Sequence, residues 1–347
     1  MNIMVTGGCG FIGSNLIKYL LNESGLEIDN LVNIDALTYA GNPKNINHSI
    51  KEDSRYHNRW VDICDKEEIA HYMDFYDITH IFHLAAESHV DNSIEGPDIF
   101  METNVKGTAI LLECFKNHIG AQPDPSIDHR FIHVSTDEVY GELLSESDAP
   151  FTEETPYAPN SPYAASKASS DFVVRSYFKT YGLPVITTNC SNNYGPNQCP
   201  EKLIPLMIGK VLAGEDLPIY GNGQNIRDWL YVKDHCKALV AVLTNGVIGE
   251  SYVIGGRCER NNIDIVSKIL KIVYKEMPEL IGKSHLTFVE DRLGHDQRYA
   301  INPIKIETDL GWTPEENFET GLDKTVKWYI NNQQWVENSM QRLFDKK

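Results

Sequence analysis

Three glycines at fixed spacing, set between a strand-like run and a helix-like run, restrict the fold of this chain more than any other feature. Ile3-Met4-Val5 is short and apolar, Gly8-x-Gly10-x-x-Gly13 follows it, and Leu16, Ile17, Leu20 and Leu21 then recur at helical spacing. By itself such a glycine run could be only a turn. Between a strand and a helix it lets backbone approach a pyrophosphate, while the helix N-terminus offers free N–H groups and the positive end of its dipole. The next strand-like run, Leu31-Val32-Asn33-Ile34, ends at Asp35, 22 residues beyond Gly13. An acid there accepts hydrogen bonds from adenosine ribose hydroxyls and repels a 2′-phosphate, which favours NAD over NADP.

The rest of the first half alternates strand and helix, which predicts a Rossmann-type α/β fold, a doubly wound parallel sheet covered on both faces. A third strand is expected at Trp60-Val61, bringing Asp62 and Ile63 to the adenine, then a helix over 66–76. Strand 81–84 ends in Ala85-Ala86-Glu87-Ser88-His89, where small alanines let a cofactor pass, and His89 alone reads as a packing residue. A long amphipathic helix follows over about 99–118. Phe131-Ile132-His133-Val134 reads as a buried strand that delivers Ser135-Thr136-Asp137-Glu138 to its C-terminal end, where ligands sit in open α/β sheets. In the helix expected over 163–181, Tyr163 and Lys167 stand at i and i+4 on one face. A neighbouring ammonium favours phenolate, so a phenol that ordinarily titrates near ~10 is expected to become a usable base near neutral pH.

Beyond Pro196 the alternation loosens into a smaller mixed α/β C-terminal lobe, with a helix over 202–213, short strands near 217–220 and 226–232, a helix over 263–276, a strand at 286–289 and a final helix near 319–341. The helix over 234–245 and the strand at 252–254 are expected to return to the main sheet. Residues 1–188 with 226–254 therefore read as the dinucleotide-binding domain, and 189–225 with 255–347 as the substrate lobe, with small ligands in the cleft between them.

A formal net charge of −18 argues against nucleic acid and anionic membrane as partners, so an anionic ligand must be met by a few local cations. Seven cysteines without a Cys-x-x-Cys pair read as reduced thiols, and the histidines are not expected to hold a metal. No apolar run reaches the ~18–20 residues that span a bilayer. Residues 1–6 enter a strand directly, leaving no room for a signal peptide. A cytoplasmic location is expected.

The chain resembles, over essentially its whole length, the extended short-chain dehydrogenase/reductase family, in the branch that acts on nucleotide sugars. Gly7-x-x-Gly10-x-x-Gly13 and Tyr163-x-x-x-Lys167 are shared by the wider family; the specific run is Ser135-Thr136-Asp137-Glu138-Val139-Tyr140-Gly141. Related epimerases lack the Asp-Glu pair, and related UDP-glucuronate decarboxylases keep only the Glu. Asn189-Cys190-Ser191-Asn192-Asn193-Tyr194-Gly195-Pro196, Pro200-Glu201-Lys202-Leu203-Ile204-Pro205 and Arg227-Asp228-Trp229 fit the same branch.

The resemblance implies 4,6-dehydration of dTDP-glucose on bound NAD, giving dTDP-4-keto-6-deoxyglucose and water for deoxysugar synthesis. Tyr163 would take the 4-hydroxyl proton as a hydride leaves C4, with Lys167 orienting the nicotinamide ribose. Glu138 would take the C5 proton, Asp137 would protonate the departing 6-hydroxyl, Thr136 would hydrogen-bond the 4-oxygen, and the hydride would return to C6. Adjacent carboxylates raise one another's pKa, which helps keep one protonated.

For the cofactor the resemblance implies Gly7, Gly10, Phe11, Ile12 and Gly13, then Asp35, Ala36, Leu37 and Thr38. Further along it implies Asp62, Ile63, Leu84, Ala85, Ala86 and Ser88, with Thr103, Tyr163, Lys167 and Asn193. For the nucleotide sugar it implies Ser88, Thr136, Asn192, Lys202 and Leu203; the run Pro218, Ile219 and Tyr220; and Arg227, Asn262, Asp291, Arg292 and His295. Helices near 99–118 and 163–181 would pair with their mates in a homodimer. Alternatives within the class are a UDP-glucose 4,6-dehydratase or a related epimerase, and outside it an NAD-binding sensor that keeps the fold without the reaction.

Overall fold

Among the described residues twelve strands, numbered in chain order, share three sheets: β1 (Asn2–Thr6), β2 (Asn30–Ile34), β3 (Tyr56–Arg59), β4 (His80–His83), β5 (Arg130–Thr136), β6 (Val185–Cys190), β7 (Asn192–Tyr194), β8 (Leu217–Tyr220), β9 (Ile226–Tyr231), β10 (Ser251–Ile254), β11 (Glu259–Asn261) and β12 (Leu286–Val289). The structure is a computed structural model and describes residues 1–121, 124, 126–291 and 296–345. Its main sheet has seven strands in the order β10-β6-β5-β4-β1-β2-β3, every neighbouring pair parallel. The chain winds outward one way through β1, β2 and β3, then restarts beside β1 with β4. That reversal leaves a crevice at the carboxyl ends of β1 and β4, where doubly wound sheets bind ligands.

Alternation along the strands decides which helix layer each side chain meets. Ile3 and Val5 of β1 join Leu16 and Ile17 of the Phe11–Asn22 helix and Leu239 and Leu243 of the Val232–Asn245 helix on one face. Met4 points the other way, into a core with Ile69 and Met73 of the Lys66–Phe75 helix and Leu111 and Phe115 of the Thr108–Ala121 helix. Where both faces are covered, a strand such as β1 is nearly continuously apolar, as buried parallel strands tend to be.

The third strand differs from expectation: it is Tyr56–Arg59, and Trp60 beyond it is 53% exposed. An edge strand covered only in part needs no apolar run, so Tyr-His-Asn-Arg carried no strand signal. The helix expected over 99–118 is one continuous element, α-helical at Asp98–Phe100 and again at Thr108–Ala121, with a π-helical stretch Met101–Gly107 between. Such turns are rare and gather at functional sites.

β9, assigned from sequence to the dinucleotide-binding domain, instead forms a three-stranded sheet with β11 and β7. The return to the main sheet therefore starts at Val232 and not at 226. β8 and β12 make a separate parallel pair. These small sheets surround a core rich in aromatic rings, including Tyr194, Trp229, Phe318 and Tyr329. The single final helix expected near 319–341 is two, Phe318–Asn331 and Gln333–Asp345. None of the seven cysteines forms a disulfide. Among the described residues no helix is long and apolar enough to cross a membrane.

Candidate active site

The glycine turn closes because side chains there would collide with backbone. Gly7 has φ +73°, and a Cβ on it would lie 2.8 Å from the Ala85 nitrogen past β4. A Cβ on Gly13 would lie 2.3 Å from the Gly7 carbonyl oxygen. Gly10 caps the Phe11–Asn22 helix without a side chain, so the first-turn N–H groups open on the crevice. At the end of β2 the Asp35 carboxylate is held by two backbone donors, Cys9 N–H and Leu37 N–H, each at 2.8 Å. Its orientation is set before any ligand meets it.

From this turn a cleft of about 340 Å³ runs across the strand ends. Of the expected cofactor residues, Gly7, Gly10, Phe11, Ile12 and Gly13 line it at the turn, and Asp35, Ala36 and Thr38 line it past β2. Asp62 and Ile63 line it past β3, with Leu84, Ala85, Ala86 and Ser88 past β4. Thr103 reaches it from the π-helical stretch, and Asn193 from β7. Leu37, at φ +53°, contributes its N–H to Asp35 and stands off the lining. This cradle fits a dinucleotide: glycines where any Cβ collides, open helix N–H groups, and an acid fixed at the far end.

At its other end the cleft gathers Thr136, Asp137, Glu138, Tyr163 and Lys167. Thr136 ends β5 and caps the single turn Asp137–Tyr140, its hydroxyl accepting the Glu138 N–H at 3.3 Å. Gly141 ends that turn at φ +84°, where a Cβ would lie 2.5 Å from the Ala158 carbonyl oxygen. Pro162 at the first turn and a Ser161 cap start the Pro162–Tyr181 helix, which brings Tyr163 and Lys167 against β5.

Burial, then the neighbouring Glu138, pushes the Asp137 carboxyl well above the usual carboxylate range, with Arg227 opposing weakly. That direction favours the protonated form, the one a general acid needs. The expectation for Tyr163 is corrected: its phenol is pushed up, by burial first and by Glu138 second. The Lys167 ammonium is fully buried, donates to the Val134 carbonyl at 2.9 Å, and has its own pKa lowered by that burial. Desolvation outweighs the ammonium's pull on the phenol.

Beneath Lys167, the buried Asp171 carboxylate accepts from His133 Nε2 at 3.0 Å, Ser135 Oγ at 2.9 Å, Tyr157 OH at 2.8 Å and Asn189 Nδ2 at 3.2 Å. It ties β5, β6 and the Tyr163 helix together under the reacting end. Sequence reading passed over it, because a carboxylate one helical turn past Lys167 gives no signal of which strands it meets.

The expected substrate residues divide. Asn192 and Lys202 line the cleft, and Lys202 Nζ donates to the Ser88 carbonyl at 3.1 Å. Leu203, Pro218, Tyr220, Asn262 and Asp291 stand away from its lining. Ile219 is 1% exposed in the small lobe's core, so its side chain is not offered to a ligand. Arg227 is buried, donates to the Asp296 carbonyl at 2.9 Å and lies 4.3 Å over the Tyr299 ring. Arg292 and His295 lie outside the described residues. Two acids were missed: Glu87 and Glu201 both line the cleft, and burial followed by Glu201 raises Glu87. Their signal was their position, directly after Ala86 and directly before Lys202.

A dinucleotide cradle on a purely parallel sheet, with a Tyr-x-x-x-Lys helix against the central strand, defines an extended short-chain dehydrogenase/reductase. Residues 4–325 match the family model described as GDP-mannose 4,6 dehydratase. A dTDP-glucose 4,6-dehydratase of Escherichia coli is 50% identical over 347 residues, 97% of this chain and 95% of its own. A dTDP-glucose 4,6-dehydratase of Streptomyces venezuelae, crystallised with NAD and dTDP, superposes with a TM-score of 0.89 at 43% identity, covering 98% of this chain and all of that one. The corresponding structure from Bacillus anthracis, in complex with NAD, gives 0.85 at 44% identity, covering 98% and 99%. The chain belongs to the dTDP-glucose 4,6-dehydratase family.

Proposed function

We propose that this chain converts dTDP-glucose to dTDP-4-keto-6-deoxyglucose and water with NAD as its bound cofactor. One observation carries the reading: at the end of β5 two adjacent carboxyl groups enter the same cleft as Tyr163 and Lys167, and burial and the neighbouring carboxyl both push one of them, Asp137, toward its protonated form. Elimination of water between C5 and C6 needs a base for the C5 proton and an acid for the leaving oxygen. Glu138 serves as the base and Asp137 as the acid, and the proton taken by Glu138 is returned to C5 when the hydride reaches C6. An epimerase or a sensor has no use for that pair.

Tyr163 Oη takes the proton of the 4-hydroxyl, and Thr136 Oγ1 hydrogen-bonds the 4-oxygen and so fixes the sugar ring. NAD, when bound, supplies the two-electron acceptor for C4, the donor for C6, and a positive ring charge that favours loss of the phenol proton. Lys167, held by Val134 and backed by Asp171, orients the nicotinamide-side ribose. Gly7, Gly10 and Gly13 receive the pyrophosphate and Asp35 the adenosine ribose. Asn192 and Lys202 meet the sugar nucleotide, with Arg227 behind Asp137. Residues 1–188 with 232–254 form the cofactor unit and the remainder the nucleotide-sugar unit. The unpaired cysteines suit a reducing cytoplasm.

The direct test incubates the protein with dTDP-, UDP- and GDP-glucose or mannose and reads product mass. Loss of 18 mass units from dTDP-glucose alone or preferentially is expected, and no loss from any of them defeats the reading. The purified chain should carry NAD, and finding NADP in its place would overturn the role given to Asp35.

A homodimer completes the proposal. Ile99, Met101, Phe172 and Tyr181 leave large apolar faces exposed on the helices at its expected two-fold contact. Light scattering at micromolar concentration should give twice the mass of 39.3 kDa.

A further inference from the structure

The wall of the cleft beside Asp35 has almost no secondary structure of its own. Between the end of β2 and the His48–Lys51 helical turn, the chain makes only the short 3-10 turn Pro43–Asn45. Ala40 and Gly41 of this loop line the cleft. Gly41 packs so closely on the acid that a Cβ there would lie 2.8 Å from Asp35 Oδ1. Two asparagines, 5% and 2% exposed, give the loop its shape. The Asn42 N–H and Asn45 Nδ2 both donate to the Cys9 carbonyl, at 2.9 and 2.8 Å, and the Cys9 N–H donates to Asp35. Through Cys9 the loop and the glycine turn are one unit.

Their remaining polar atoms are met from the far end of the sequence. Trp335 Nε1 donates to Asn45 Oδ1 at 2.8 Å, and Asn42 Nδ2 donates to Ser339 Oγ at 3.0 Å. Arg342 donates from its guanidinium to the Gly41 carbonyl. All three lie on one face of the Gln333–Asp345 helix, at spacings of four and three residues. Trp335 is itself packed edge-on against Trp328 of the preceding helix, ring centres 5.0 Å apart, and that helix's Tyr329 hydroxyl donates to the carbonyl of Gln198, another cleft-lining residue, at 2.6 Å. No part of this helix enters the cleft, and nothing in the reaction assigned above needs it.

We propose that Trp335, Ser339 and Arg342 are positioning residues for the cofactor, bracing the 37–45 loop so that Asp35 and the glycine turn retain NAD between turnovers. The inference rests on the reading of the cleft as an NAD site. Removing the brace leaves Asn42 Nδ2 without its partner and Asn45 Oδ1 with only the Asn197 amide at 3.5 Å, and the loop can then leave Asp35. Faster escape of the adenosine end follows.

The test uses the full-length chain carrying Trp335→Phe, Ser339→Ala and Arg342→Ala together. NAD loss is followed by desalting at timed intervals and measuring retained nucleotide. The dissociation rate should rise about tenfold, equivalent to about 1.4 kcal/mol. Turnover should fall on dilution and recover with added NAD, while KM for dTDP-glucose stays within about twofold, well under the tenfold steps that mark a lost contact. A purely structural helix would lower the melting temperature and leave the dissociation rate unmoved, and that outcome overturns the proposal. Should the triple variant not fold, Arg342→Ala alone, near the chain end, must still speed NAD loss, with Arg342→Lys restoring part of it. A parent chain that holds no NAD at all would defeat the cofactor reading itself.

Discussion

The two halves of the molecule organise their interiors differently. In the seven-stranded sheet, apolar side chains fill both faces and polar groups are driven to the strand ends, so chemistry collects along one edge. In the small lobe, short strands and a cluster of aromatic rings hold together a surface that approaches that edge from outside. The first half is therefore where a substitution can abolish reaction without loosening the fold. The second is where a substitution should loosen the fold before it touches chemistry.

The sharpest way to break that contrast pairs Glu138→Gln with Phe318→Ala. Losing a positioned base costs ~10²–10⁴ in rate, so Glu138→Gln should stay folded and stall with the 4-ketoglucose nucleotide detectable by mass after quenching. Phe318 is buried against Tyr194 and Trp229, and truncating such a ring costs ~3–5 kcal/mol. Its variant should melt earlier, yet turn over normally while folded. A Glu138→Gln enzyme that dehydrates at the parent rate removes Glu138 from the mechanism.

A smaller effect separates two glycines. A Cβ on Gly13 meets the Gly7 carbonyl oxygen at 2.3 Å, and one on Gly256 meets the Trp229 carbonyl oxygen at 2.0 Å. Backbone cannot yield cheaply in either place, and overpacking of this kind costs ~1–3 kcal/mol. Gly13→Ala should spend that on NAD affinity, weakening it ~10–100-fold, measured by fluorescence titration. Gly256→Ala should lower the melting temperature and leave NAD affinity alone.

A further effect concerns acid. His80 in β4 and His235 on the Val232–Asn245 helix are buried, and burial lowers their pKa from 6.5 to about 4 and about 3. Below pH 6.5 the unfolded chain binds protons that the folded chain refuses, so stability is lost as pH falls toward 4. The loss is about 1.4 kcal/mol per pH unit for each imidazole that titrates in this way. Both belong to the sheet half. Exposed ion pairs of the small lobe, such as Lys268 with Glu319, add little. Melting temperature against pH should therefore fall from 6.5 to 4.5, and His235→Gln should flatten the fall. An unchanged slope would show that another group carries it.

Much of the site was legible because its residues stand beside regular elements. The glycine turn, Asp35, the Thr136-Asp137-Glu138 run and Tyr163-x-x-x-Lys167 each follow or open a strand or helix whose period shows in the sequence. β3 was not legible, because an edge strand needs no apolar pattern. Nor was the π-helical stretch at Met101–Gly107, since one wider turn leaves the helical period almost unchanged.

The sequence by itself determined the parallel sheet, the side of it that binds, and the kinds of group found there, because periodicity and turn chemistry act over a few residues. Only the tertiary structure decided how those groups are charged and held. Whether the ammonium or the burial governs the Tyr163 phenol is settled by how much protein surrounds it. That Asp171 gathers donors from two strands and from the loop before its own helix, or that a helix at 333–345 meets the loop beside Asp35, depends on contacts between segments far apart in sequence. No local pattern encodes such contacts, since each partner looks like an ordinary polar residue until the fold brings its counterpart alongside.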